Sequence, residues 1–478
     1  MLFPSPVFLL GFLPVTLAGF FVAGRVLSHR FALSWLVCAS LVFYGWWNPW
    51  YLPLLLGSVL ANYTIAGRIR VSAKPRRWLL GGLVLNLGLL GWFKYSDFLL
   101  HSVWPDAPHL GVVLPLAISF FTFQQIMFLV DTARDPDQAD HNLLTYTAFV
   151  TFFPHLIAGP IVRPGEIMPQ LKRRSRFDAD GFTEGLLIFL LGLARKCVLA
   201  DLFGGFADIG FAAADAGHSL TLFEAWYATL SYALQIYFDF AGYSDMALGL
   251  ARMFNIRFPL NFDSPYQAAN IAEFWRRWHI TLGAFLRDYL YIPLGGNRRR
   301  RSFNLMVTML LAGLWHGAGW NFVAWGGLHG LMLVMHRQYR QRFAPLPAWL
   351  GQGLTLFCVV LAWVPFRATT MGGTLQMLRG MAGLNGVALP RMIVNVMPKL
   401  AFIAEPVSVM PSLGDARTLS FPEISACLVL GWFIVLALPN IHRMTLRARH
   451  WALTSGFALS VQAVFFAPHI APFLYFRF

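Results

Sequence analysis

The run FPSPVFLLGFLPVTLAGFFVA at residues 3–23 carries no charged side chain and is long enough to cross a hydrocarbon core, which takes about 20 apolar residues. A cleaved secretory leader would open on a basic segment and have a shorter apolar core, of about 7–15 residues. Further apolar segments follow at once, so this run reads as a retained first membrane helix. Outward from it, similar stretches recur at 31–47, 51–67, 78–96, 113–131, 183–200, 221–238, 319–335, 349–366, 425–440 and 451–468. The expected fold class is all-α: a polytopic integral membrane protein with about 11 transmembrane helices plus re-entrant or interfacial pieces. Residues 1–478 are expected to form a single membrane domain.

Composition agrees. Of the chain, 57% is hydrophobic and 12% charged, where a soluble domain carries about 25% charged residues. A net charge of +15 raises the question of nucleic acid. The basic residues, however, fall in short clusters between apolar runs, at 25–30, 68–77, 172–176, 298–301, 337–342 and 443–449. That is a topological pattern, and it places these clusters in the cytoplasm and the N-terminus outside. No nucleic-acid partner is expected; membrane lipid is. The four cysteines, Cys38, Cys197, Cys358 and Cys427, lie scattered in apolar segments, so neither a disulfide nor a metal site is expected.

Two stretches, 144–162 and 239–297, mix apolar residues with Pro, Gly, Asp, Asn and Arg at membrane depth. Irregular backbone survives there only if it is buried in protein or lines a wet cavity. The one long connection, 367–424, falls outside by parity, and a connection of that length is usually functional or partner-facing. No internal repeat is visible, which weakens a transporter reading.

Ionisable groups in lipid are costly unless paired or wet, which singles out Asp239, Asp245, Glu273 and His279 as a buried polar site. A continuous helix over 271–291 would align Trp275, Trp278, His279, Leu282 and Phe285 on one stripe and pair Glu273 with Arg277. The bland alternative is an interfacial helix with its basic face on headgroups. In LLAGLWHGAGWNFVAWGGLHG, residues 310–330, His316 sits between glycines that permit close helix approach. It is either a packing residue or a general base; His329 and His336 are weaker candidates. His155, in a proline-rich segment, fits a structural role better. Arg163 and the basic residues 172–174 suit donor phosphates, or topology alone. Imidazole, titrating near neutrality, can remove a proton from an attacking hydroxyl. There is no GxSxG elbow and no P-loop or dinucleotide fingerprint.

Taken in order, SFFTFQQIMFLVD (119–131), FPHLIAGPIVRP (153–164), YFDFAGYSDMALGLARMFNIRFPLNFDSPY (237–266), EFWRRWHITLGAFLRDYLYIPLGGNR (273–298), GLWHGAGWNFVAWGGLHG (313–330), WVPFR (363–367) and the terminal FLYFRF resemble the membrane-bound O-acyltransferase (MBOAT) superfamily. The resemblance is to the bacterial branch that contains the alginate O-acetylase membrane subunit. It implies tilted helices around a trans-membrane tunnel, a catalytic core over about 113–336, and an inner-membrane location. It also implies His316 as the catalytic histidine and His279 as a second active-site residue. Trp275, Arg276, Trp278, Tyr243, Asp245 and Asn321 are the expected lining of the tunnel, and Arg163, Arg298 and Arg299 the expected contacts of the donor's phosphates. The implied reaction is O-acetylation of an alginate-like exopolysaccharide. Acetyl-CoA would be the donor substrate, with no tightly bound cofactor, and an extracytoplasmic acetyl-accepting protein and secretion components would be partners, docking on 367–424.

Rival expectations are D-alanyl transfer from a carrier protein to teichoic acid, a polysaccharide or lipid transporter, and an export scaffold without catalysis. The stretch DYLYIPLGGNRRRR and the long late connection favour the acetylase branch over the first.

Overall fold

The computed structural model describes residues 1–136, 142–174, 176–390, 405–407, 421–443 and 473–474. The expected span 451–468 and residues 391–404 and 408–420 of the 367–424 connection lie outside the described residues.

Among the described residues the regular structure is helical apart from one parallel pair of three-residue strands, Ala388–Pro390 and Glu405–Val407. A π turn, Val7–Phe12, leads into α1 (Leu13–Val26), which packs on α2 (His29–Gly45). Then come α3 (Leu52–Val71), α4 (Pro75–Leu90), a π turn at Gly91–Tyr95, α5 (Ser96–Val103) and α6 (Ile118–Arg134). Helices α3, α4 and α6 are joined by a buried amide cluster. Asn62 and Asn86 exchange hydrogen bonds (2.6 and 3.3 Å), and Ser58 and Asn62 both donate to Gln125 Oε1. Away from water such groups must satisfy one another, so the cluster fixes helix pairing that apolar contacts alone leave loose.

The expected irregular stretch 144–162 is α7 (Leu143–Thr151) and the single turn α8 (Phe153–Leu156), separated at Phe152; α9 (Pro164–Leu171) follows. The 183–200 span is α10 (Ala179–Ala194) ending in a π turn, Arg195–Ala200, and α11 (Asp201–Asp215) comes after it, a helix the sequence analysis does not anticipate.

At the centre is α12 (Leu222–Met253), a 32-residue helix opened by a Thr221–Glu224 capping box. Its course corrects the expected break at residue 239. Asp239 and Asp245 do not end the helix because the preceding π turn presents their counter-ions. Lys196 Nζ lies 2.8 Å from Asp239, and Arg195 lies 2.5 Å from Asp245, which also meets His442 at 2.8 Å. Charge at membrane depth is therefore neutralised inside the protein rather than by irregular backbone.

The continuous helix expected over 271–291 is also corrected. It is broken at Trp278–His279 into α13 (Ile271–Arg277) and α14 (Ile280–Leu286), with a π turn at Arg287–Tyr291. The hairpin α15 (Arg301–His316) and α16 (Trp320–Arg342) follows, then α17 (Ala348–Arg367). A side chain at Gly313 would strike the Phe322 carbonyl, and one at Gly326 the Met309 carbonyl. These glycines let α15 and α16 run in close antiparallel contact, with the 317–319 turn at one end and Arg301 and Arg342 at the other. The 367–424 connection opens with α18 (Met371–Met381), capped by Thr370, and a further helix spans Phe421–Ala437.

Four described helical rods are long and apolar enough to cross a bilayer: Val7–Val26, Pro49–Val71, Pro75–Val103 and Ala348–Arg367. They coincide with the expected spans 3–23, 51–67, 78–96 and 349–366. Helix α12 carries Asp239 and Asp245 along its length, and both are paired within the protein.

Candidate active site

His316 is the last residue of α15, where a helix leaves carbonyls without intrahelical partners. Those carbonyls are taken by the π turn at Gly91–Tyr95. Lys94 Nζ donates to Trp315 O (2.5 Å) and His316 O (3.2 Å), and Tyr95 Oη donates to Leu314 O (2.9 Å). A cation at a helix C-terminus also complements its dipole. π turns re-aim side chains and favour functional positions; this one brings a lysine from the Pro75–Val103 rod to the backbone that carries His316. The imidazole is 3% exposed. Its ring lies against Trp315, Trp325 and Phe366, with centroids 4.9, 5.1 and 5.1 Å away.

His279 stands at the break between α13 and α14 in the left-handed region, φ 44°. A residue with a Cβ is held there only when its surroundings over-determine it, and Asn261 does so. Its carbonyl accepts from Ile280 N (2.9 Å), and its Oδ1 accepts from Thr281 N (3.2 Å) and Thr281 Oγ1 (2.9 Å). Because a backbone N–H only donates, this contact fixes the Asn261 amide orientation. His279 Nδ1, 3.2 Å from the same Oδ1, must then be the protonated ring nitrogen. In the neutral ring Nε2 keeps its lone pair. Trp315 joins the two histidines: its ring is 6.4 Å from His279 and 4.9 Å from His316.

Around them, Trp275 Nε1 donates to His329 Nδ1 (3.3 Å), which leaves the proton of neutral His329 on Nε2. Among the described residues neither His329 Nε2 nor Trp325 Nε1 has a hydrogen-bond partner, although both are buried. Two idle N–H donors beside a histidine are costly unless a ligand uses them.

Chain neighbours of both histidines line cavities. At the 317–319 turn, a cavity of about 820 Å³ is lined by Asn321, Phe366, Arg367 and Asp215. It shares Ala318 and Phe322 with one of about 300 Å³ that reaches Lys94 and Asp97. Beside His279, a separate cavity of about 260 Å³ is lined by Ile280, Thr281, Phe285, Arg163 and Arg287. Arg163 and Arg287 both pair with Asp288.

The structure thus brings together His316, His279 and Trp275, with Trp278 linked through Trp363, 4.9 Å away, and Asn321 on the large cavity, its amide donating to Ala368 O (2.8 Å). It does not bring Arg276, which is exposed, nor Asp245, which is held by Arg195 and His442. Tyr243 stacks on Phe3 and Phe473 instead. Arg298 and Arg299 are exposed in the turn before α15 and do not line the Arg163 cavity. His155 is buried among Phe149, Phe152 and Phe258 and accepts from Gln124 (3.0 Å).

Sequence reasoning missed Lys94, Tyr95, Asn261 and the inward role of His329. A lone lysine inside an apolar run was the available signal for the first. Asn261 acts through a fold that pairs it with a residue 18 positions away, which no local pattern encodes.

Comparison with known proteins gives a consistent set of matches. Residues 29–364 match the model of the membrane-bound O-acyltransferase family. The chain is 45% identical over 430 residues to a peptidoglycan O-acetyltransferase of Helicobacter pylori, covering 81% of each chain. It is 40% identical over 400 residues to the probable alginate O-acetylase AlgI of Pseudomonas aeruginosa, covering 80% of this chain and 75% of that one. A teichoic acid D-alanyltransferase of Streptococcus thermophilus is 30% identical over 238 residues, 46% of this chain and 56% of its own.

Proposed function

The chain belongs to the membrane-bound O-acyltransferase family, and from that premise we propose that it carries acetyl from cytoplasmic acetyl-CoA to a sugar hydroxyl of a glycan outside the inner membrane. Family membership makes it an acyl-transferring enzyme embedded in a membrane, not a transporter or an inert scaffold. The observation that supports this proposal is the pair of histidines whose rings both lie near Trp315, with chain neighbours of His279 lining the Arg163 cavity and chain neighbours of His316 lining the Asn321 cavity.

By the positive-inside rule, Arg301 and Arg342 put the closed end of the α15–α16 hairpin outside. The Asn321 cavity then receives the acceptor, and the Arg163–Arg287 cavity faces the cytoplasm. Its guanidinium groups suit the phosphates of a coenzyme thioester. In the reaction, His316 takes the proton of the acceptor hydroxyl as its oxygen bonds to the acyl carbon. The C–S bond breaks, and the departing thiolate receives that proton. His279 orients the thioester, and the Trp325 and His329 N–H groups are donors for the transient oxyanion.

Two kinds of relative bear on the acceptor. The alginate O-acetylases favour an alginate-like exopolysaccharide, and the 45% identical relative favours peptidoglycan; both present sugar hydroxyls. The D-alanyltransferases match a smaller share of the chain, which favours transfer of acetyl over D-alanyl. Membranes bearing the protein, given labelled acetyl-CoA with unacetylated polyuronate or with peptidoglycan, are expected to place alkali-labile label on one of them with release of CoA. Label from a charged carrier protein alone would refute the donor assignment.

Two variants probe the parts. Arg163→Ala is expected to raise KM for acetyl-CoA several-fold, about what one charge-assisted phosphate contact is worth, with kcat nearly unchanged in steady-state kinetics. Lys94→Met removes two bonds to the backbone at His316 and is expected to lower kcat by about 10–100-fold, with KM for the donor unchanged and the purified protein still monodisperse.

A further inference from the structure

Beyond acyl transfer, the segment after Lys94 holds a second group of chemically matched side chains. Asp97 and His101 lie one turn apart on α5, and His109 comes from the loop that follows. The ligand atoms of all three lie within 4.8 Å of one another, and the two imidazole centroids are 4.3 Å apart.

Each of the first two is oriented by a backbone partner. His101 Nδ1 lies 2.7 Å from the Asp97 carbonyl. A carbonyl only accepts, so Nδ1 carries the proton and Nε2 presents its lone pair. This is the outer-shell bond that metal-ligating histidines make, which fixes tautomer and ring plane before the ion arrives. Asp97 Oδ1 accepts from Leu110 N (2.8 Å), which holds the carboxylate toward the loop carrying His109. His109 itself is exposed and free to swing the last ångström as ligands draw in.

We propose that Asp97, His101 and His109 bind a divalent first-row transition cation, with Zn²⁺ the best match. Two imidazoles and one carboxylate suit zinc, with ligand distances of about 2.0–2.2 Å and a remaining position for water. Hard cations such as Mg²⁺ prefer all-oxygen shells. The ion would tie the loop to α5. Val112 and Leu114 of that loop wall the cavity that Lys94 and Asp97 share with Gly317, so the clamp would stiffen the entrance next to His316. This site does not depend on the identity of the acyl donor or acceptor.

The test uses the full-length protein in detergent, its affinity tag removed, stripped with EDTA, incubated with Zn²⁺ and desalted before elemental analysis. The expected result is about one equivalent retained, with that equivalent lost in both His109→Ala and His101→Ala. The Zn²⁺-dependent rise in melting temperature of the unsubstituted protein should vanish with it. His109 is exposed, so His109→Ala keeps the experiment informative even if His101→Ala folds poorly. No retained zinc, zinc retained undiminished by His109→Ala, or equal retention of Mg²⁺ would each overturn the proposal.

Discussion

Replacing His316 by alanine is expected to lower acyl transfer by about 10²–10⁴-fold, the usual contribution of a positioned general base, in a protein that still folds. Folding should survive because the bonds that secure this end of α15 go to its backbone: Lys94 reaches Trp315 O and His316 O, and Tyr95 reaches Leu314 O. Truncating the imidazole removes none of them. Ring contacts with Trp315, Trp325 and Phe366 are among those lost. Initial rates of label transfer, set beside the detergent melting curve of the same preparation, check both halves. A wild-type rate in the variant would remove His316 from the chemistry.

The largest stability effect is expected from Asp245→Ala. Asp245 is 4% exposed, accepts from Arg195 at 2.5 Å and meets His442 at 2.8 Å. Removing the carboxylate leaves the Arg195 guanidinium buried without its counter-ion, which costs about 3–5 kcal/mol. The damage lies at a junction, because the same π turn carries Lys196, paired with Asp201 and Asp239 (2.6 and 2.8 Å). Asp239 in turn accepts from Leu474 N (2.9 Å). Denaturant titration in detergent should show a markedly earlier midpoint. Activity per folded molecule should stay near normal, since Asp245 lies outside the contacts around His316. An unchanged midpoint with abolished transfer would instead make Asp245 part of the reaction path.

The membrane character and several spans were legible in the sequence because hydropathy is additive along a chain, and 3–23 or 349–366 need no partners to be recognised. His279 and His316 each stand out in the sequence as candidates, and resemblance through FWRRWH and LWHG joins them in one site, but no periodicity shows that Trp315 lies between their positions in contact with both. The errors share a cause. A helix through Asp239 and Asp245 looked improbable because the chain does not announce that Arg195 and Lys196 will face them. The break at His279 was invisible because Asn261, which holds it open, acts through space. Charge in a membrane protein is read correctly only when its partner is known, and partners are set by tertiary packing.

In the proposed reaction acetyl passes through the protein from a cytoplasmic thioester to an outer hydroxyl by way of His316. Proteoliposomes of uniform orientation, with labelled acetyl-CoA confined to the face bearing Arg163 and glycan acceptor on the other, test it most directly. Labelled ester on the acceptor is expected, with free CoA remaining on the donor side in matching amount, and neither with His316→Ala. Transfer that proceeds equally when donor and acceptor share the outer face, or that persists in His316→Ala, would contradict that route.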